Sequence, residues 1–304
     1  MKRKQLVSTL LLLLTAFIWG SAFVAQSVGA EYVGAFTFLT ARSFISCLAV
    51  LPVAVVSCRR HNAGRTGSRA AVPFSLRRYV PVGGLCGFFL CVASAAQQAG
   101  MAYTTTAKAG FITSLYVVLV PCMGLVIGKR PGLKIWIGVL LGVCGLYLLS
   151  MHGGFGLEKG DALMLLCALL FTGHIMCVDR FAPKLNGVAV SCIQFFMCGV
   201  FSLVGMLLFE TPSFEAVRAA GLAILYAGLF SGGIGYTLQI VAQKDLDPTV
   251  ASLLMSLESV FSALCGWSVL GQTLTSREFF GCCLMAAAIV MAQLPERRPA
   301  GQTI

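Results

Sequence analysis

The apolar residues of this chain fall into ten runs of roughly 20 residues: 6–26, 34–56, 79–100, 106–127, 133–151, 160–180, 187–209, 219–241, 249–270 and 276–293. A helix needs about 20 such residues to cross about 30 Å of hydrocarbon. The runs do not alternate in the ~10-residue segments that a transmembrane barrel requires. A water-soluble fold does not suit them either. With 58% hydrophobic and only 11% charged residues, the chain is too poor in polar groups to cover a soluble surface. The expected fold is therefore an all-α integral membrane protein with ten transmembrane helices. Gly residues recur at four-residue spacing, as in Gly83/Gly87, Gly138/Gly142 and Gly228/Gly232, a pattern that lets helices approach closely in lipid.

A net charge of +11 raises the question of nucleic acid, and the placement of the charge answers it. With the N-terminus taken as cytoplasmic, 17 of the 22 Lys and Arg fall on the inner side. Lys159, Arg218 and Arg277 fall outside, while Arg42 and Lys108 lie within or at the edge of spans. This is the positive-inside pattern. It predicts a plasma-membrane protein of the bacterial inner-membrane kind, with both termini cytoplasmic. The Arg-rich loop 57–78 could hold RNA or anionic head groups, but topology accounts for it first, so no nucleic-acid partner is expected. The basic, Leu-rich start mimics a signal peptide, yet its apolar run is long and includes Trp19, and it reads as a retained first helix. Twelve of the thirteen Cys lie inside expected spans, Cys58 being the exception, with no Cys-x-x-Cys or Cys/His spacing. Buried Cys is more often a small hydrophobe than a ligand. Neither disulfides, a metal nor a cofactor is expected.

The second half of the chain echoes the first. Residues 109–128, "AGFITSLYVVLVPCMGLVIG", lie against 251–271, "ASLLMSLESVFSALCGWSVLG". An offset of 142 brings Ser114 onto Ser256, Tyr116 onto Glu258 and Gln97 onto Gln239. At an offset of 152, 15–25 lies over 167–177 and Arg42 lands on Gln194. The halves are placed at 1–152 and 153–304. Five spans per half is an odd number, so the second half enters the membrane from the opposite side. Inverted repeats of this kind are associated with secondary transporters.

"FIWGSAFVA" in the first span and "ASLLMSLESVFSALCGWSVLGQTLTSREFFGCCLMAAAIVMA" in the last two resemble the EamA-type permeases of the drug/metabolite transporter superfamily. The resemblance covers roughly 10–150 and 160–293. It implies ten helices, a central cavity between the halves and movement of small metabolites, often export of amino acids or related compounds. The chain departs from the family at Ser259, where Pro commonly follows the Glu, and at Gln272, where an acid is usual.

Glu258 lies about nine residues into the ninth span, so about 14 Å deep. With no basic residue nearer in sequence than Lys244 or Arg277, it is an expensive residue that should face protein or a water-filled cavity. It either binds an amino group or takes up a proton, or it is a hydrogen-bonded acid holding helices together. Its helical neighbours would be Met255 and Ser262. Tyr116 is its counterpart in the first half. Arg42 should meet Glu258, a carbonyl or a substrate carboxylate. His174 is either a proton relay or an interhelical hydrogen-bonding group. Gln97 and Gln239 flank a site near the pseudo-twofold axis or simply join helices. Trp19 and Tyr236 are candidate aromatic walls.

The expected function is a secondary transporter, specifically an exporter of small organic metabolites such as amino acids, working by alternating access around a cavity between the repeats. Its partners are a small metabolite and membrane lipid, with proton coupling and a homo-oligomer both left open. The alternative is a membrane-embedded enzyme acting on lipid or a lipid-linked sugar. Its one candidate cluster is Asp245/Asp247, and Asp247 before Pro248 reads first as a helix N-cap. No nucleophile–base pair, P-loop or nucleotide fingerprint is visible.

Overall fold

The computed structural model describes residues 3–63, 75–104, 106–129, 131–150, 159–270 and 275–293. Lys2, Arg65, Arg69, Arg130, Gly271, Gln272, Arg297 and Arg298, which carry part of the topology and family reading, lie outside the described residues. Among those described, the chain is helical and no strand occurs. The helices are α1 (Arg3–Tyr32), α2 (Ala35–Ala63), α3 (Leu76–Met101), α4 (Thr106–Thr113), α5 (Tyr116–Val126), α6 (Leu133–Ser150), α7 (Lys159–Phe181) and α8 (Gly187–Phe209). They continue with α9 (Phe214–Ala219), α10 (Gly221–Tyr226), a π-helical segment (Ala227–Tyr236), α11 (Thr237–Gln243), α12 (Pro248–Met255), α13 (Glu258–Leu270) and α14 (Ser276–Gln293).

Eight described helical stretches are long and apolar enough to cross a membrane. The expected spans 133–151 and 276–293 also fold as helices, but their apolar parts, Leu133–Leu148 and Phe279–Met291, are shorter. The packing is that of a protein in lipid. Large apolar side chains point outward, including Leu48, Val126, Leu207, Phe209 and Phe279. The buried set instead contains many polar residues, among them Ser43, Ser46, Ser94, Gln97, Gln194 and Gln239. Lipid tails are as apolar as Leu, so helices associate through close packing and hydrogen bonds rather than by leaving water.

The main packed pairs are α2 with α8, α6 with α14, α3 with α7 and with α8, and α1 with α13. Small residues set these distances. A Cβ on Gly87 would lie 2.7 Å from the Gln194 carbonyl oxygen of α8, and one on Gly228 would lie 3.1 Å from the Arg42 carbonyl oxygen of α2. Thiols also face across the seams, with Sγ–Sγ distances of 3.3 Å for Cys86–Cys177 and 3.9 Å for Cys47–Cys192. The α2–α8 pair is pinned at both ends. The Glu210 carboxylate accepts from Phe36 N at 2.8 Å, Thr37 N at 2.7 Å and Thr37 Oγ1 at 2.6 Å, placing an anion at the N-terminus of α2. At the other end Asn186 caps α8 and donates Nδ2–H to Ser57 Oγ at 2.7 Å.

Three expected spans are not regular helices. Run 106–127 tightens between α4 and α5, where Leu115 N–H bonds the Ile112 carbonyl at 3.2 Å and Val118 N–H the Leu115 carbonyl at 2.9 Å. Run 249–270 tightens between α12 and α13, where Leu257 N–H bonds the Leu254 carbonyl at 3.4 Å and Ser259 N–H the Ser256 carbonyl at 3.2 Å. Such i→i+3 turns inside a helix often mark a hinge. Run 219–241 widens into the π-helical segment, which carries Gly228, Gly232, Gly233 and Gly235. Gly is a poor helix former, and Ser46 Oγ of α2 reaches the Gly228 carbonyl at 2.7 Å.

Substitution of Gly87 by Leu should therefore separate α3 from α8 and lower the thermal midpoint in detergent by several degrees, an overpacking cost of about 1–3 kcal/mol. Gly84→Ala, whose Cβ meets only Met197 Cε at 3.6 Å, should leave the midpoint unchanged. Melting curves of the two purified variants provide the comparison.

Candidate functional site

The helices enclose a cavity of about 30 Å³, room for a couple of water molecules. Trp19, Phe23 and Gln26 reach it from α1 at spacings of four and three residues, which puts them on one helical face. Arg42 enters from α2, Gln97 from α3, Phe171 and Ile175 from α7, Ser231 and Tyr236 from the π-helical segment, and Gln239 from α11. Tyr116 and Glu258 enter as the first residues of α5 and α13, directly after the two tightened turns. Seven of the eight residues singled out in the sequence thus line one cavity. His174 does not. It is fully buried one layer behind, with Nε2 at 3.1 Å from Gln194 Oε1 and its ring edge-on to Tyr236 at 5.9 Å between centroids.

Glu258 is 4% exposed and is held by the other half of the chain. Its Oε1 accepts from Tyr116 OH at 3.1 Å and lies 3.4 Å from Ser114 Oγ. Next to it, Ser259 Oγ donates to the Gly110 carbonyl at 2.9 Å and sits 2.8 Å from Ser114 Oγ. The two tightened turns therefore meet and hydrogen-bond each other. Ser259 performs this without the family's Pro. Within the second turn Ser256 Oγ also bonds the Leu253 carbonyl at 2.8 Å, and hydroxyl-to-carbonyl bonds of this kind accompany bent helices. The hydrogen bonds of Glu258 come from across the fold, from Tyr116 and Ser114, rather than from its helical neighbours Met255 and Ser262.

Arg42 is 5% exposed, and its Nη2 donates to Ser94 Oγ at 2.9 Å. Of the partners expected within the chain, neither Glu258 nor a carbonyl is the one it bonds among the described residues. Arg42 and Glu258 thus face one cavity while hydrogen-bonding different neighbours. Trp19 donates Nε1–H to the Ser231 carbonyl at 3.2 Å, and its ring lies 4.6 Å from that of Tyr236. Gln97 donates to Thr113 Oγ1 at 3.4 Å and Gln239 to Gln243 Oε1 at 3.3 Å. Among the described residues, Gln26 Oε1 and Gln239 Oε1 are buried acceptors with no hydrogen-bond partner.

Sequence reasoning missed Phe23, Gln26, Ser94, Phe171, Ile175 and Ser231. Part of this was recoverable. Phe171 and Ile175 stand 152 residues after Trp19 and Phe23, the offset that already aligned the first and sixth spans. Gln26 is a buried polar residue in an apolar run, the same signal that drew attention to Gln97. Nothing in the local sequence marked Ser94 or Ser231.

Asp247 accepts from Thr249 N at 2.8 Å as the N-cap of α12, with Pro248 following. Asp245 Oδ2 receives Ser8 Oγ at 3.4 Å. The acidic pair is thus engaged in capping and in holding α1. Among the described residues, no group of three His, Cys, Asp or Glu could hold a metal.

The model of the EamA-like transporter family matches residues 6–151 and again 158–293. The chain belongs to the EamA-like transporter family. An uncharacterized transporter of Archaeoglobus fulgidus is 31% identical to this EamA-like protein over 292 residues, covering 96% of this chain and 87% of the relative. The uncharacterized inner membrane transporter YedA of Escherichia coli K12 is 23% identical over 193 residues, covering 60% of this chain and 61% of its own length. A solved crystal structure shares the fold at a TM-score of 0.73 and 21% identity, covering 95% of this chain and 96% of that one. This EamA-like chain is a membrane transporter, and the Glu258–Tyr116 contact is buried in its interior.

In this transporter, Tyr116→Phe removes one donor from a buried carboxyl group, a loss of about 1–3 kcal/mol. A double-mutant cycle with Glu258→Gln, read by thermal unfolding in detergent, should show a coupling of about 0.5–3 kcal/mol. Additive effects would mean that the two side chains act independently.

Proposed function

We propose that this protein is a secondary carrier that exports small zwitterionic metabolites, such as amino acids or related compounds, by alternating access. The cavity bounded by Arg42 and Glu258 is the transport site, and the chain is organised as ten membrane-crossing helices in two inverted five-helix repeats, 1–152 and 153–304, with both termini cytoplasmic.

The observation that carries the substrate class is the presence of an arginine and a glutamate on one membrane-embedded cavity, each hydrogen-bonded to a neutral side chain rather than to the other. Ionisable groups at this depth are costly and usually functional. A guanidinium suits a carboxylate, while Glu258 and the open Gln26 and Gln239 oxygens suit an ammonium group. Trp19, Phe23, Phe171 and Tyr236 supply apolar and aromatic wall for the rest of the ligand.

The repeat reading is supported by the cavity itself. Trp19 and Phe171, Phe23 and Ile175, Gln97 and Gln239, and Tyr116 and Glu258 are all lining residues related by the two repeat offsets. Helix packing follows the same exchange. The third run packs on the sixth as the eighth packs on the first, and the second packs on the seventh and the fifth on the tenth. Alternating access needs elements that bend. The paired turns at Ile112–Val118 and Leu254–Ser259, together with the π-helical segment, are such elements, and all three abut the cavity. At about 30 Å³ it is far smaller than the roughly 300 Å³ of an ordinary ligand pocket, so binding requires the helices to part.

Purified protein in liposomes should show saturable flux of amino acids. Arg42→Gln should reduce kcat/KM at least about tenfold, the worth of one buried charge-assisted hydrogen bond of ~1.5–3 kcal/mol. Trp19→Ala should mainly raise KM. If Glu258 carries the coupling proton, Glu258→Gln should abolish the pH dependence of flux, whereas pure facilitation would leave that dependence unchanged. Absence of saturable flux across a broad metabolite panel, with and without a pH gradient, would sink the carrier reading.

A further inference from the structure

A second and larger cleft of about 870 Å³ opens between α3, α5 and α7. It is separate from the central cavity. Phe171 and Ile175 turn to the central cavity, whereas Gly173 and Arg180 turn to the cleft. At 100° per residue these pairs occupy opposite faces of α7. The cleft therefore faces outward, on the side where the helix bundle meets its surroundings.

Its chemistry is graded along its length. The wall is apolar, with Leu85, Met123 and Ile127 all partly exposed at 41%, 37% and 55%. Phe89 packs over Gly173, where a Cβ would come within 2.6 Å of the ring, so α3 and α7 close its floor. The rim is charged. Lys129 Nζ pairs with Asp179 Oδ2 at 2.6 Å, which accounts for the one acid of the cleft. Arg180 is exposed at the end of α7 and has no carboxylate partner among the described residues. Seven residues separate Gly173 from Arg180, about 10 Å along the helix. An apolar slot about 10 Å long thus runs beneath a rim that, among the described residues, carries one positive charge without a carboxylate partner.

We propose that this cleft seats an anionic phospholipid, with its phosphate at Arg180 beside the Lys129–Asp179 pair and an acyl chain against Leu85, Met123 and Ile127. A water-soluble metabolite would leave the exposed apolar wall uncovered. A zwitterionic phospholipid brings its own cation to a rim that already has one in excess. Basic pockets between transmembrane helices hold anionic head groups for this reason. The assignment rests on the chain lying in a membrane and not on which metabolite it carries.

Lipid retention by the purified full-length protein tests it, read by native mass spectrometry after delipidation and addition of dioleoyl phosphatidylglycerol or dioleoyl phosphatidylcholine. The wild type should retain phosphatidylglycerol in preference. Arg180→Gln should reduce that preference by about fivefold, the worth of one cation beside an anionic surface. Met123→Trp, which fills the slot, should lower retention of both lipids. Arg218→Gln, an exposed arginine on α9, should change nothing. Equal retention of the two lipids by the wild type, an undiminished preference in Arg180→Gln, full retention by Met123→Trp, or an equal loss in Arg218→Gln would each overturn the proposal. Metabolite flux is not part of the readout, so a failed transport assay and a failed lipid assay remain distinguishable.

Discussion

Two helices that cannot continue as regular helices meet at one point, and the interior is organised around that meeting. Ser114 and Ser259 join the turns between α4 and α5 and between α12 and α13, with Ser259 also bonded to Gly110 and Tyr116 to Glu258. In hydrocarbon no water satisfies a backbone polar group, so each one must find a partner within the protein. The bent turns satisfy one another across the boundary between the halves. The same contact aims Tyr116 and Glu258, the first residues of the helices that follow, into the central cavity.

This constraint gives the protein an inverted economy of polarity. Leu, Val and Phe cover the outside, while Ser, Thr, Gln and single charges concentrate inside, where glycines allow backbones to touch. A consequence is that residues lining the cavity are also those that hold helices together. Glu258, Gln97, Gln239 and Trp19 each make an interhelical or intrahelical bond while presenting a face to the cavity. Holding the fold together and lining the cavity are not alternatives at these positions. His174 is different: it joins α7 to α8 through Gln194 and supports the Tyr236 ring from behind, and its opposite ring nitrogen has no partner among the described residues.

Much of the candidate site was legible because burying polarity in lipid is expensive. A single Glu, Arg or Gln inside a 20-residue apolar run announces itself, and seven such choices, aromatic ones included, converged on one cavity. Residues without that signature were missed. Ser94, the partner of Arg42, is one of many small hydroxyl residues in apolar runs, and only the crossing of α2 and α3 distinguishes it. Phe23 and Ile175 are ordinary apolar residues whose role depends on which face of the helix turns inward.

The sequence by itself determined the membrane class, the helical content and the family, because these follow from run length, composition and motif without knowledge of neighbours. Its capping at Asp247 was equally local. Tertiary structure alone decided what Glu258 and Arg42 hydrogen-bond, where the fourth, eighth and ninth runs depart from regular helix, and that an outward cleft accompanies the central cavity. The physical reason is common to all three. Each depends on contacts between residues tens to hundreds apart, through serine hydroxyls, glycine surfaces and helix faces that carry no distinguishing mark along the chain.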